Sequence, residues 1–215
     1  LPLFWRQRPA RVAGSALVLL TITALLWPSQ SGQVFWSPYQ KLVLTTRHGE
    51  HGQFYHIDVN NTFYQTIENS GQRLVHYRFP YLFVPQPERV LLVGAGAGND
   101  AAEALAHGAR HVDAVDIDPV ILTLGEQLHP ERPYRSERVT RIVDDARAQF
   151  KKLTGSYDLI VFARLDSHTL LSGFTNVRLD HYVYTRESFE EAKRLLAPDG
   201  VLSMSFVMAE PWMLD

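Results

Sequence analysis

Three glycines at alternate positions, Gly94, Gly96 and Gly98, follow the apolar run Val90 to Val93, and Asp116 closes the next apolar run, Val112 to Asp116. Lacking Cβ atoms, the glycines let the backbone turn tightly and a ligand come close. A carboxylate at the end of the neighbouring strand can accept hydrogen bonds from both hydroxyls of a ribose. These residue types read as a nucleoside site. The plainer reading is a glycine turn that serves chain geometry alone.

The spacing narrows the choice of nucleoside. A dinucleotide fingerprint needs its third glycine where Asn99 stands, so a pyrophosphate loop is not expected. GxGxG instead resembles motif I of the class I S-adenosylmethionine-dependent methyltransferase fold. That resemblance implies an amino-acid tail and a ribose lying beside the loop.

The elements that position these residues alternate along the chain. Strands are predicted over Arg89 to Val93, Val112 to Asp116, Val139 to Val143, Tyr157 to Phe162 and Val201 to Phe206. Helices are predicted over Asn99 to His107, Pro119 to Leu128, Ala146 to Leu153 and Thr185 to Leu196, the last stopped by Pro198-Asp199-Gly200. Such alternation predicts an α/β fold with a parallel, doubly wound, Rossmann-like sheet. Ahead of it, aromatic and β-branched residues alternate between Val34 and Glu68, predicting a small β-meander with strands near Phe35 to Thr45, Gln53 to Val59 and Thr62 to Ile67. The expected division is an apolar segment and linker over residues 1–32, a small N-terminal β domain over 33–84 and an α/β domain over 85–215.

Val12 to Trp27 carries no charge, and Arg6, Arg8 and Arg11 precede it. It reads as a membrane segment, although its length gives only about 24 Å of helix against a hydrocarbon core of about 30 Å. A buried or signal-type helix is the other reading. The arginines favour an amino end inside, while the supply of nucleosides favours the cytoplasmic face for the rest. A net charge of −2 gives no reason to expect nucleic acid. With no cysteine, disulfides, a thiol nucleophile and zinc–cysteine sites are excluded, and the nine histidines lack metal-ligand spacing, so no metal is expected.

Seven stretches then occur in an order found in spermidine synthase-like proteins, the polyamine aminopropyltransferases. They are SPYQKLVL from Ser37, IDVNNTFYQ from Ile57, the glycine loop, VDIDP from Val115, DDAR from Asp144, YDLIVF from Tyr157 and YTRESFEEAKRLLAPDG from Tyr184. The resemblance implies a small β domain on a methyltransferase-like α/β domain, and the upstream apolar segment resembles the membrane-attached bacterial members. A sheet of this type normally carries two further strands, so the resemblance implies truncation at the carboxyl end. It also implies that Gln40 contacts the thioadenosine end, that Asp116 takes the ribose and that Asp145 accepts from the adenine amino group. Asp145 could equally cap the helix that follows it.

On the amine side the chain departs from the family. The loop aspartate is replaced by Ala97, the YHE signature by Gln72-Arg73-Leu74, and the proton-accepting aspartate after the fourth strand by Ala163. Arg73 and Arg164 are expected to make the pocket less hospitable to a dication. The long connection from Ala163 to Tyr184 offers substitutes. Asp166 is the first choice as general base or amine anchor, and His168 the second, because imidazole titrates near neutrality.

The expected activity is aminopropyl transfer from decarboxylated S-adenosylmethionine to a small amine. Two alternatives stay open: methyl transfer from S-adenosylmethionine, and a catalytically inactive nucleoside-binding module of a membrane protein. Expected partners are the amine, a bacterial inner membrane through the N-terminal segment, and a second copy of the chain.

Overall fold

The computed structural model describes residues 9–26, 32–49, 52–68, 73–163, 165 and 183–205. The chain divides into two compact units, residues 1–31 and 32–215. The first holds helix α1, Pro9–Leu26.

Its 18 residues extend about 27 Å at roughly 1.5 Å each, below the roughly 30 Å of a hydrocarbon core. Among the described residues no helix is long and apolar enough to cross a membrane. This corrects the sequence expectation of membrane association, and the placement at a bacterial inner membrane falls with it.

In the second unit an antiparallel sheet comes first, with strands β1 Gln33–Trp36, β2 Lys41–Gly49, β3 Gly52–Val59 and β4 Thr62–Ile67 in sequential order. The single strand predicted over Phe35 to Thr45 is two strands. Pro38 has no N–H for a ladder, and the Ser37 hydroxyl accepts from the Tyr39 and Gln40 amides, closing a turn. Asn60 and Asn61, both at positive φ, turn β3 into β4.

The second sheet is parallel, with strands β5 Arg89–Val93, β6 His111–Asp116, β7 Val139–Val143, β8 Tyr157–Phe162 and β9 Leu196–Met204 in the order β7-β6-β5-β8-β9. Between them lie α3 Asn99–Ala106, α4 Pro119–Leu128, α5 Ala146–Lys152 and α6 Arg186–Arg194. Strand alternation divides the core. Val90, Leu92, Val112, Ala114 and Leu159 pack on one face with Ala101 and Ala104 of α3. Leu91, Val93, Ile160 and Phe162 pack on the other with Phe150 of α5 and Leu195. A third cluster joins the sheets, setting Leu42, Ile57 and Ile67 against Ala97, Ile121 and Leu124.

Two local expectations are corrected. Pro198-Asp199-Gly200 was expected to stop the last helix, yet it lies inside β9, and α6 already ends at Arg194. Tyr157 pairs with Leu196 and Leu159 with Val201, so the register shift between them takes up the proline that cannot donate. A short helix, α2 Val75–Arg78, and a 3-10 turn, Phe79–Leu82, also precede β5. No periodicity announces elements that short.

Candidate functional site

The order of the parallel strands reverses direction between β5 and β8, where crevices form beyond the carboxyl ends of such sheets. The glycine loop leaves β5 at that point. Gly94, Gly96 and Gly98 have φ of +79°, +55° and +101°, the left-handed region that favours glycine. A Cβ on Gly94 would collide with the Leu165 side chain, and one on Gly96 would lie 2.9 Å from Oε1 of Gln65.

Every backbone N–H from residue 94 to residue 98 is engaged within the chain. Gly94 and Ala95 both donate to the Val115 carbonyl at 2.9 Å, and Gly98 donates to Ala95 at 3.2 Å. Gly96 donates to Oδ2 of Asp116 at 2.8 Å, and Ala97 to Oε1 of Gln65 at 3.3 Å. From behind, the Tyr134 hydroxyl lies 2.7 Å from the Gly96 carbonyl and 3.0 Å from that of Ala95. The segment around Pro133 therefore braces the loop through Tyr134. Asn99, which breaks the dinucleotide fingerprint, donates to the Thr66 carbonyl at 2.6 Å and accepts from the Glu68 amide at 3.1 Å. It ties the loop to β4.

Asp116 ends β6 and is 5% exposed. Its other oxygen accepts from the Asp118 amide at 2.9 Å. A carboxylate has about four lone-pair sites, so two bonds leave acceptor capacity. Burial raises its pKa from 3.8 to about 6, although the backbone donors of Asp118 and Gly96 oppose the shift. Asp118 caps α4 by accepting from Val120 and receives Nε2 of Gln40 at 3.0 Å. Gln40 is thus held against the start of α4 by the turn at Ser37. Asp145 follows β7, and its Oδ1 accepts from the Ala148 amide at 3.0 Å as the cap of α5. The amide of its neighbour Asp144 donates to the Asp116 carbonyl at 3.2 Å, which keeps the ends of β6 and β7 side by side.

A cleft of about 480 Å³, counted with the solvent at its mouth, opens between the glycine loop, Tyr64, Gln65, Tyr77, Asp100 and Ala163. No lysine or arginine is among the described residues that line it. Nε2 of Gln65 is buried and has no hydrogen-bond partner. Burial, then the charges of Asp116 and Asp118, hold the Tyr64 phenol well above its usual pKa, so it stays protonated.

The structure brings together Gln40, the three glycines, Asp116 and, on the adjacent strand end, Asp145. Asp166 and His168 lie outside the described residues. The expectation for Arg73 is corrected. Its guanidinium is fully buried, bonded to Glu103 at 2.5 Å and Glu131 at 2.6 Å, and it does not line the cleft. Burial acts to lower its pKa, but bonds to Glu131 and Glu103 outweigh that and raise it. Sequence reasoning passed over Tyr64, Gln65 and Asp100 as cleft residues. Tyr64 and Gln65 end a motif already singled out, and Asp100 stands just past the glycines.

A glycine loop, an acid at the next strand end and a cleft at the switch point define a methyltransferase-like α/β domain. A model of the spermine/spermidine synthase domain matches residues 72–213. The chain is 34% identical over 150 residues to a polyamine aminopropyltransferase of Vibrio vulnificus (strain CMCP6), covering 64% of this chain and 46% of that protein. It is 28% identical over 146 residues to putrescine N-methyltransferase 1 of Nicotiana tabacum, covering 64% and 36%. A spermidine synthase solved with the transition-state analogue AdoDATO shares the fold at a TM-score of 0.61 and 16% identity, over 80% of this chain and 57% of that one. The spermidine synthase of Thermotoga maritima matches at 0.60, with 16% identity, over 80% and 56%. The chain belongs to the spermine/spermidine synthase family. It spans about half the length of the relatives it matches.

Proposed function

We propose that the chain carries the site of an aminopropyltransferase that binds decarboxylated S-adenosylmethionine and transfers its aminopropyl group to a small amine. The observation that supports this most is the closed set of loop amides. A carboxylate-bearing tail needs hydrogen-bond donors beside the loop, and residues 94 to 98 have each committed their N–H within the chain. The described lining offers no lysine or arginine in their place. A tail that ends in an ammonium group makes no such demand.

In this reading Asp116 takes the ribose hydroxyls, Gln40 lies at the thioadenosine end and Asp145 faces the adenine amino group while still capping α5. The co-substrate supplies an electrophilic carbon next to a sulfonium. The chain's part is to hold that carbon in line with the amine nitrogen, so that positioning lowers the barrier. The nitrogen must lose a proton, and Ala163 cannot accept it. Asp166 is assigned that role and His168 is second, both on the connection after β8.

Incubation of the protein with decarboxylated S-adenosylmethionine and 1,4-diaminobutane tests the reading. Methylthioadenosine and the aminopropylated amine should form in equal amounts. The plant N-methyltransferase relative keeps methyl transfer as the second reading, and a methylated amine formed from S-adenosylmethionine would replace the first.

A further inference from the structure

We propose that Asp100 is the carboxylate that anchors the cationic end of the acceptor amine. This rests on the aminopropyl-transfer reading and adds the residue that selects the amine. The starting point is Ala97, which is fully buried, packs with Leu42, Ile57 and Ile67 and is not among the described residues that line the cleft, so position 97 offers the amine no polar group. Asp100 lies in the first turn of α3, is half-buried and lines the cleft beside Tyr64, Gln65 and Tyr77. It is the one carboxylate among the described lining residues.

Three features of the surroundings suit an ammonium group. The negative field of Asp100 reaches the phenols of Tyr64, Tyr81 and Tyr134, raising the pKa of each alongside burial. Aromatic walls from Tyr64 and Tyr77 can face a cation. Arg73, expected from the sequence on the amine side, is sequestered by Glu103 and Glu131, and His76 is the one histidine among the described lining residues. Val161 and Ala163 also line the cleft, small apolar surface that suits a methylene chain.

An acid in the first turn also favours its own helix, and that purely structural role predicts a different result. The test uses the full chain and two acceptors, 1,4-diaminobutane and n-butylamine, which differ by one cationic group. The parent should prefer the diamine in kcat/KM. Asp100→Asn should raise the diamine KM by at least about tenfold, roughly 1.4 kcal/mol, and reduce the diamine-to-monoamine preference towards one. Asp100→Glu should restore part of it. Methylthioadenosine affinity, measured by calorimetry, should change by less than about twofold, since one factor of ten is 1.4 kcal/mol and Asp100 is assigned no nucleoside contact. An unchanged preference in Asp100→Asn, with or without a lower thermal midpoint, overturns the proposal. So does a parent that binds methylthioadenosine but shows no preference for the diamine. A parent that fails to bind methylthioadenosine overturns the function reading itself.

Discussion

Asp116 carries a pH dependence that follows from its position. Burial places its pKa at about 6, above the ordinary 3.8, so the folded protein favours the neutral acid. Its contribution to stability is therefore fully present below pH 3.8 and is lost as pH rises through about 6; the difference corresponds to ~3 kcal/mol. In the proposed binding mode ribose hydroxyls donate to the ionised form, so binding has the opposite sign. Methylthioadenosine affinity should fall by about tenfold between pH 7 and pH 5, with proton release on binding near pH 6. Calorimetry in buffers of different ionisation enthalpy checks this, and Asp116→Asn should abolish both effects. This residue was legible in the sequence because glycines and an acid at successive strand ends announce themselves locally. The place of Arg73 was not, since its partners Glu103 and Glu131 lie 30 and 58 positions away.

At the level of elements, ion pairing and close approach hold the loop's surroundings. Arg73 joins the segment before α2 to Glu103 of α3 and to Glu131 after α4. Arg73→Leu leaves those carboxylates without their main cation and should cost ~3–5 kcal/mol in denaturant unfolding. The diamine KM of the folded variant should stay near that of the parent, because Arg73 does not line the cleft. In α4, Gly125 lies against the loop, and a Cβ there would sit 2.5 Å from the Ala97 carbonyl oxygen. In an exposed helix Gly→Ala gains ~1 kcal/mol. Here Gly125→Ala should instead lower the thermal midpoint by a few degrees, the equivalent of about 1 kcal/mol, and weaken methylthioadenosine binding. The β/α order was readable because each strand is a short apolar run bounded by turns. β9 was misread at its start, where a proline that ordinarily ends a helix is tolerated at a strand irregularity. That tolerance depends on β8, which is distant in sequence.

Across the whole molecule, charge is distributed unevenly despite a net value of only −2. Asp116, Asp118 and Asp100 all act on Tyr64, which lines the crevice, while the described lining contains no lysine or arginine. Such a site suits a sulfonium and an ammonium together. Composition alone could not show this, because the sheet order, and not the residue count, brings those acids to one edge. Composition misled in one respect: an uncharged run suggested a membrane span, whereas among the described residues no helix is long and apolar enough to cross a membrane. The central claim is that this edge holds an adenosyl sulfonium whose tail lacks a carboxylate. Calorimetric titration of the purified chain with decarboxylated S-adenosylmethionine and with S-adenosylmethionine tests it most directly. The decarboxylated compound should bind at least about tenfold tighter, a difference of roughly 1.4 kcal/mol. Equal affinities, or tighter binding of S-adenosylmethionine, would contradict the account.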